Sequence, residues 1–171
     1  MLILLPPSEG KTPPETGKPL DFNSLLFPGL SGERRTVLQE LQVISSLPNA
    51  YEKLNVGKSL KHEVAANQHI LSAPTAPAWQ VYTGVLFDAL DYAALENVDD
   101  DMTLVFSALF GVTRLSDAIP AYRFPATAKL PGFGPMGAWW RERLTDQMAG
   151  LATGPFIDSR STTYRSFWKS P

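Results

Sequence analysis

A chain of 171 residues, 44% of them hydrophobic, is long enough to bury one sizeable core and matches the usual size of one domain. It contains no cysteine, which excludes a disulfide, a thiolate metal site and a sulfenic-acid peroxide sensor, and which fits a reducing, cytoplasmic compartment. The formal charge of −2 hides an uneven split: residues 1–63 carry 7 basic and 7 acidic groups, 64–113 carry 0 and 6, and 114–171 carry 8 and 4. The last third therefore offers either a basic face for an anionic partner or merely a solvated, internally paired surface.

Residues 2–5 form a short apolar run closed by Pro6-Pro7, too short for a signal segment and suited to a buried strand. Nothing in the sequence has the length of a membrane span. From 6 to 28 the density of Pro, Gly, Ser and Thr predicts a long loop of the kind that carries function. Residues 33–46 place Val37, Leu38, Leu41, Val43 and Ile44 on one helical face, with Ser31 or Gly32 as N-cap and Pro48 beyond the end. A second helix is expected over 58–71, with Ser59 as its cap and Leu60, Val64 and Leu71 on one side. An Ala-Pro linker follows at 73–78, then an extended stretch at 79–82 and, after Gly84, a helical pattern over 85–95. Asp99-Asp100-Asp101 marks a solvated turn, and residues 102–106 read as the best central strand. A last helix over 136–151 carries Trp140, Leu144, Met148 and Leu151, after which Phe156 and Ile157 return to the sheet. Strands and helices interleave without a strict βα repeat, which predicts a single α+β domain over 1–171 with a mixed sheet and several packed helices.

Several constellations could carry chemistry. Ser8-Glu9-Gly10-Lys11-Thr12 follows a strand as a phosphate-binding loop does, but Leu5 stands where that motif needs glycine, and Pro13-Pro14 bar the helix that should follow. What survives is an exposed loop at a strand end. His62 and His69 are seven residues apart, about 10.5 Å along a helix, too far for one metal ion, and no cofactor or metal is expected. Gly-x-Ser-x-Gly is absent, so no catalytic residue is assigned. Arg114 and Arg123 flank the strongest strand's exit and could grip an anion together or clamp Asp117 and the acidic 88–101 region. Leu130-Pro131-Gly132-Phe133-Gly134-Pro135, leading into a helix with Arg141 and Arg143, resembles the second half of a helix-hairpin-helix, although Pro125 sits inside the segment that would have to be its first helix. A tight turn with no ligand is the alternative.

Five segments taken together, LILLPPSEGK at 2–11, VYTG at 81–84, FSALFGVTRLSDAIPAYR at 106–123, LPGFGPMGAWWRERL at 130–144 and FIDSRSTTYRSFW at 156–168, resemble the YaaA family of peroxide-stress proteins. The resemblance implies a family-specific fold, a positively charged cleft, DNA binding through a helix-hairpin-helix element, and a role in limiting damage from hydrogen peroxide and unincorporated iron. It places Ser8, Glu9, Gly10 and Lys11 in the first signature, Gly111, Arg114, Pro120, Tyr122 and Arg123 in the central one, and Asp158, Arg160, Ser161 and Tyr164 in the last. The expected anion or DNA contacts are Ser8, Gly10, Lys11, Arg114, Arg123, Lys129, Gly132, Gly134, Arg141 and Arg160. The other expectation is an enzyme for a small phosphate- or carboxylate-bearing substrate, with Glu9 or Asp158 as acid/base.

Two structural expectations follow. Residues 8–11, 114–123 and 158–164 should meet at one cleft beside the ends of strands 2–5 and 102–106. The resemblance also implies further chain beyond Trp168, so Phe156, Ile157, Phe167 and Trp168 are expected to lie uncovered near the end and either to drive self-association or to leave the chain less stable than a longer one.

Overall fold

The computed structural model describes residues 1–90, 92, 100–151 and 153–170. Its strands are β1 (Leu2–Leu5), β2 (Ala76–Pro77), β3 (Thr103–Ser107), β4 (Gly111–Arg114), β5 (Ala118–Ile119) and β6 (Phe156–Asp158). Its helices are α1 (Ser31–Ser45), α2 (Ala50–Leu54), α3 (Lys61–Ala66), α4 (Ala78–Val81), α5 (Val85–Leu90), α6 (Met136–Ala149) and α7 (Thr162–Arg165). The fold is α+β, with a four-stranded mixed sheet in the order β4-β3-β1-β6 and a small antiparallel pair, β2-β5. None of the described helices is long and apolar enough to cross a membrane.

The sheet follows from its apolar runs. β1 is paired on both edges, parallel to β3 and to β6, so its backbone is satisfied and Leu2, Leu4 and Leu5 are buried. All five positions of β3 are buried, as expected of a strand covered on both faces. β4 was not expected from the sequence. It returns antiparallel to β3 after a turn in which Ser107 Oγ accepts the N–H groups of Leu109 and Phe110, both at 3.2 Å.

The helices depart from the periodicity in instructive ways. α1 buries Arg34, Val37, Leu38, Leu41 and Ile44, whereas Val43 is 55% exposed. Neither Ser31 nor Gly32 caps it: a 3-10 turn at Pro28–Leu30 leads in, Leu30 is the N-cap, and Ser31 Oγ donates back to the carbonyls of Pro28 and Phe22. The expected helix over 58–71 is broken into a 3-10 turn at Lys58–Leu60, α3, and a second 3-10 turn at Asn67–His69. Asn67 is buried there, its amide donating to Ser45 Oγ and Arg123 O and accepting from Arg123 N, so Val64 and Ile70 rather than Leu71 form the inner face. The 73–78 linker contains β2. Residues 79–81 are helical rather than extended, because the N–H groups of Ala78 and Trp79 bond the carbonyls of Asp117 and Leu115 and start α4; Tyr82 after it is extended and bridges Lys11. α5 covers the first part of the 85–95 helix; the rest of that segment apart from Tyr92, and Asp99, fall outside the described residues.

Arg34 is a core residue. Its fully buried guanidinium donates to Phe110 O at 3.0 Å, Val112 O at 3.1 Å, Leu26 O at 2.6 Å and Phe27 O at 3.3 Å, tying the 22–30 loop to β4. Trp140, also buried, donates from Nε1 to Ala108 O at 2.8 Å and lays its ring against Gly111.

The end of the chain differs from expectation. Phe167 and Trp168 are buried, because Arg160 Nη1 donates to Trp168 O at 3.0 Å and its guanidinium stacks over the Phe106 ring at 4.2 Å. Ile157 is 47% exposed and Phe156 half-buried, and β6 occupies the sheet edge.

Candidate functional site

Because β1, β3 and β6 are parallel, their C-terminal ends lie at one end of the sheet, where α/β proteins commonly present ligand-binding loops. The loop after β1 is held there by pairing with the segment after α4: Thr12 N–H donates to Val81 O at 2.8 Å, Thr83 N–H to Gly10 O at 3.3 Å, and Lys11 bridges Tyr82. Ser8 Oγ also accepts the Thr83 N–H at 3.0 Å and donates to Gly10 O. A side chain at Gly10 would sit 3.0 Å from Thr83 Oγ1, so the close approach of these two segments favours glycine.

This anchoring folds Lys11 inward. Its Nζ donates to Ser8 O at 2.8 Å and to Glu9 O at 3.4 Å, and lies 4.3 Å from the Tyr122 ring centre and 5.4 Å from that of Tyr82. Burial pulls the ammonium's pKa down to about 8; Arg123 adds to the effect, while Glu9 and Glu63 oppose it. Arg123 joins the same cluster. Its Nη1 donates to Glu9 O at 2.7 Å and lies 3.4 Å from Glu63 Oε2, its Nη2 lies 3.5 Å from Glu9 Oε2, and its Nε is buried without a hydrogen-bond partner among the described residues. Beneath the lysine runs a buried hydroxyl chain: Tyr122 Oη is 3.0 Å from Tyr82 Oη and 2.7 Å from Ser107 Oγ. Burial pushes the Tyr82 phenol up to about 12 and Tyr122 upward as well, so both stay protonated. Tyr164 closes this side, near enough to Glu9 and Tyr82 for both to push its phenol up further than burial does alone.

Residues 8–11, 122–123 and Tyr164 therefore meet, but the rest of the expected cleft does not. β4 runs antiparallel to β3 with Ser107 opposite Gly111 and Leu104 opposite Arg114, so Arg114 sits at the other end of the sheet, about 10 Å away at 3.3 Å per residue. There it clamps Asp101 at 2.6 Å and Asp117 at 3.5 Å. Arg160 is buried, and it holds Asp158 through two hydrogen bonds of 2.9 and 2.8 Å as well as the carbonyls of Tyr164 and Trp168. Its guanidinium thus faces the protein's own acceptors.

Lys129, Gly132, Gly134 and Arg141 belong to a second place. The 130–134 turn is a hairpin closed by a Leu130–Gly134 bridge, with Gly132 at φ 80° and Gly134 at φ 66°, and its tip is exposed. It opens directly into α6, whose N-cap, Pro135, supplies no side-chain hydrogen bond. Pro125 starts a turn closed by Ala128 N–H, so residues 121–129 contain no helix; the hairpin and the helix after it are present without a preceding partner helix. Phe133 packs against Trp139, and the Arg143 guanidinium lies 3.8 Å from the centre of the same indole. A 490 Å³ hollow lies between this cluster and Gly32, Glu33 and Thr36; exposed Lys129 borders a 580 Å³ hollow with Lys53, Glu52 and Asn55.

The sequence matches the family described as peroxide stress protein YaaA over residues 1–171. The chain belongs to the YaaA family. A UPF0246 protein of Streptomyces coelicolor is 43% identical over 176 residues, covering 99% of this chain and 68% of that protein. A UPF0246 protein of Corynebacterium efficiens is 43% identical over 175 residues, covering 100% and 71%. An uncharacterized protein of Campylobacter jejuni is 30% identical over 177 residues, covering 98% and 71%. The YaaA family description supplies a peroxide-stress role in general terms, and the geometry adds residues that the signatures alone did not single out. Glu63, on the solvated face of α3, has no sequence signal at all. Ser107 and Tyr82 lie inside the signature segments, but it takes the β1–β3 pairing to bring Ser107, and the Lys11–Tyr82 bridge to bring Tyr82, next to the lysine.

The Asp158–Arg160 pair gives this end of the sheet a pH dependence. Arg160's hydrogen bonds hold the Asp158 carboxyl below the usual carboxylate range. Because the folded value is the lower one, its stabilisation is present above the unfolded pKa of about 4 and is lost as pH falls through the folded value. Tryptophan fluorescence and near-UV CD should therefore report release of the Trp168 segment on acidification below about pH 4. Asp158→Asn should show that released signal already at neutral pH. An acid titration identical in the two proteins would show that the pair does not fasten the segment.

Proposed function

We propose that the chain is a cytoplasmic peroxide-stress protein that binds the phosphate backbone of DNA through the 130–135 hairpin and the start of α6, with Lys129, Arg141 and Arg143 around it. The observation that carries this reading is the hairpin itself: two left-handed glycines at an exposed tip, opening a 14-residue helix with no side-chain cap. Backbone N–H groups there meet a phosphate oxygen at close range, and the helix dipole favours the negative charge. The Lys11 cluster contributes less to phosphate affinity, because Lys11 and Arg123 are balanced by Glu9 and Glu63. Its small cavity and enclosed amine support a second reading, that the same protein also acts on a small substrate.

Anisotropy titration of a labelled duplex across a salt series tests the DNA reading. Binding should weaken steeply with salt, and Lys129→Glu with Arg141→Glu should lower the slope of log K against log salt by about 2, roughly one unit per phosphate contact. Binding that is absent at low salt, or a double variant that keeps the parent slope, refutes it.

A further inference from the structure

We propose that Lys11 is a nucleophile that forms an imine with an aldehyde admitted to the cavity between the Ser8–Lys11 loop, α3 and the Ala121–Tyr122 segment. The claim goes beyond phosphate binding and does not depend on the hairpin.

Position comes first. Lys11 lines a cavity of about 40 Å³ together with Pro13, Glu63, Ala66, Ala121 and Tyr122. A site needs roughly 10–15 Å³ measured in this way to hold one water, so the space admits a small polar group but no ring. A formyl group, with only hydrogen on one side of its carbon, asks for less of that room than a ketone, whose second substituent must also be housed. Two backbone carbonyls, Ser8 O and Glu9 O, accept from Nζ and fix its direction. Nζ is a donor in both contacts, so once deprotonated it keeps its lone pair available.

Protonation state agrees with position. A lysine in water is almost wholly ammonium at pH 7.5, since its pKa is near 10.4. At about 8, Lys11 is a neutral amine roughly a quarter of the time, on the order of a hundredfold more than a surface lysine. The groups that set this value come from every element around it: Glu9 from its own loop, Glu63 from α3, Arg123 beyond β5, and the Tyr82 and Tyr122 rings whose packing buries it. Desolvated lysines of this kind are the ones that form Schiff bases.

The chemistry closes without a further reagent. The Nζ lone pair attacks the formyl carbon, a C–N bond forms, and the C=O π pair moves to oxygen. The nitrogen gives up a proton and the oxygen takes one, with the Glu63 carboxylate, on the wall of the same cavity, placed to carry it. A second proton, taken from solvent, lets that oxygen leave as water while the nitrogen lone pair closes the C=N bond, and the iminium nitrogen then returns its remaining proton to solvent. Amine and aldehyde become imine and water, and no electrons are exchanged with an outside partner. Two sources offer such a formyl group: the ring-opened sugar of an abasic site in DNA, and a free phosphorylated aldehyde.

Reductive trapping decides the matter. The intact protein is incubated at pH 7.5 with sodium cyanoborohydride and either glyceraldehyde 3-phosphate or a duplex bearing one abasic site, and adducts are mapped by peptide mass. Lys11 should be modified at least about tenfold faster than exposed Lys18, Lys58 and Lys61, with a rate that rises through pH 8. Modification by the duplex alone identifies the DNA aldehyde, and modification by the small aldehyde identifies the free one. Lys11→Arg should lose the adduct, and the Lys129→Glu, Arg141→Glu double variant should still form it with glyceraldehyde 3-phosphate, which separates this claim from the hairpin reading. Because the wild-type map stands alone, a misfolded variant does not rescue the proposal. Lys11 modified no faster than the exposed lysines with both aldehydes overturns it and leaves the lysine as a structural anchor for its loop.

Discussion

Replacing Arg34 with methionine is expected to lower the unfolding free energy by about 3–5 kcal/mol, the usual loss when a buried charged partner is removed. The methionine fills similar space but leaves the carbonyls of Leu26, Phe110 and Val112, all buried, and that of Phe27, partly buried, without the arginine donor. Each unsatisfied group costs about 1–3 kcal/mol, although relaxation and water entry keep the sum below the arithmetic total. The change also removes a positive charge near Asp117, whose carboxyl burial already pushes upward. A domain of this size loses about 2–4 °C in Tm per kcal/mol, so the melt should fall by roughly 10 °C. Lysine at the same position offers one ammonium in place of a five-donor fork and should recover only part of the loss. Urea unfolding followed by tryptophan fluorescence provides the measurement, and a methionine variant within 1 kcal/mol of the parent would mean that the guanidinium does not organise the 22–30 loop.

Gly111→Ala should cost about 2–4 kcal/mol, for two reasons that a control can separate. Gly111 has φ 75°, and a Cβ there would stand 2.7 Å from Trp140 Cε3, against an indole that its hydrogen bond to Ala108 O holds in place. Gly132 has a similar φ of 80° but nothing within 4 Å of the added carbon. Gly132→Ala therefore carries the backbone strain alone, roughly 1–2 kcal/mol. If the two variants melt together, the ring contact contributes nothing and the indole is free to move aside.

The parts of the fold that the sequence made legible are those whose signal is local. β1 and β3 show as continuous apolar runs because each is covered on both faces, and α6 shows as a stripe through Trp140, Leu144 and Met148. β4 is different: Gly-Val-Thr-Arg has too little pattern to read, and it becomes a strand because Ser107 turns the chain back onto β3. That hidden strand is also why Arg114 was expected at the cleft. An exit loop from β3 would have stayed at the functional end, whereas a return strand carries the arginine away. Lys11 and Arg123 were legible from the signatures, but Glu63 was not, since a carboxylate on a polar helix face looks like solvated surface until α3 is packed beside the loop. Arg160 misled for the opposite reason, because its partner Asp158 lies only two residues away and an ion pair that local leaves no trace in composition.

The placement of β1 sets an order of events for the growing chain. It is one of the two inner strands of the sheet, yet both of its partners are distant in sequence, β3 beginning at Thr103 and β6 at Phe156. At 5–20 residues per second, translation leaves Leu2–Leu5 without its second neighbour for roughly 8–30 s. During that interval an apolar strand has an open hydrogen-bonding edge, the feature that templates pairing between chains. Until Phe156 emerges, that edge stays protected only by whatever else of the chain packs over it.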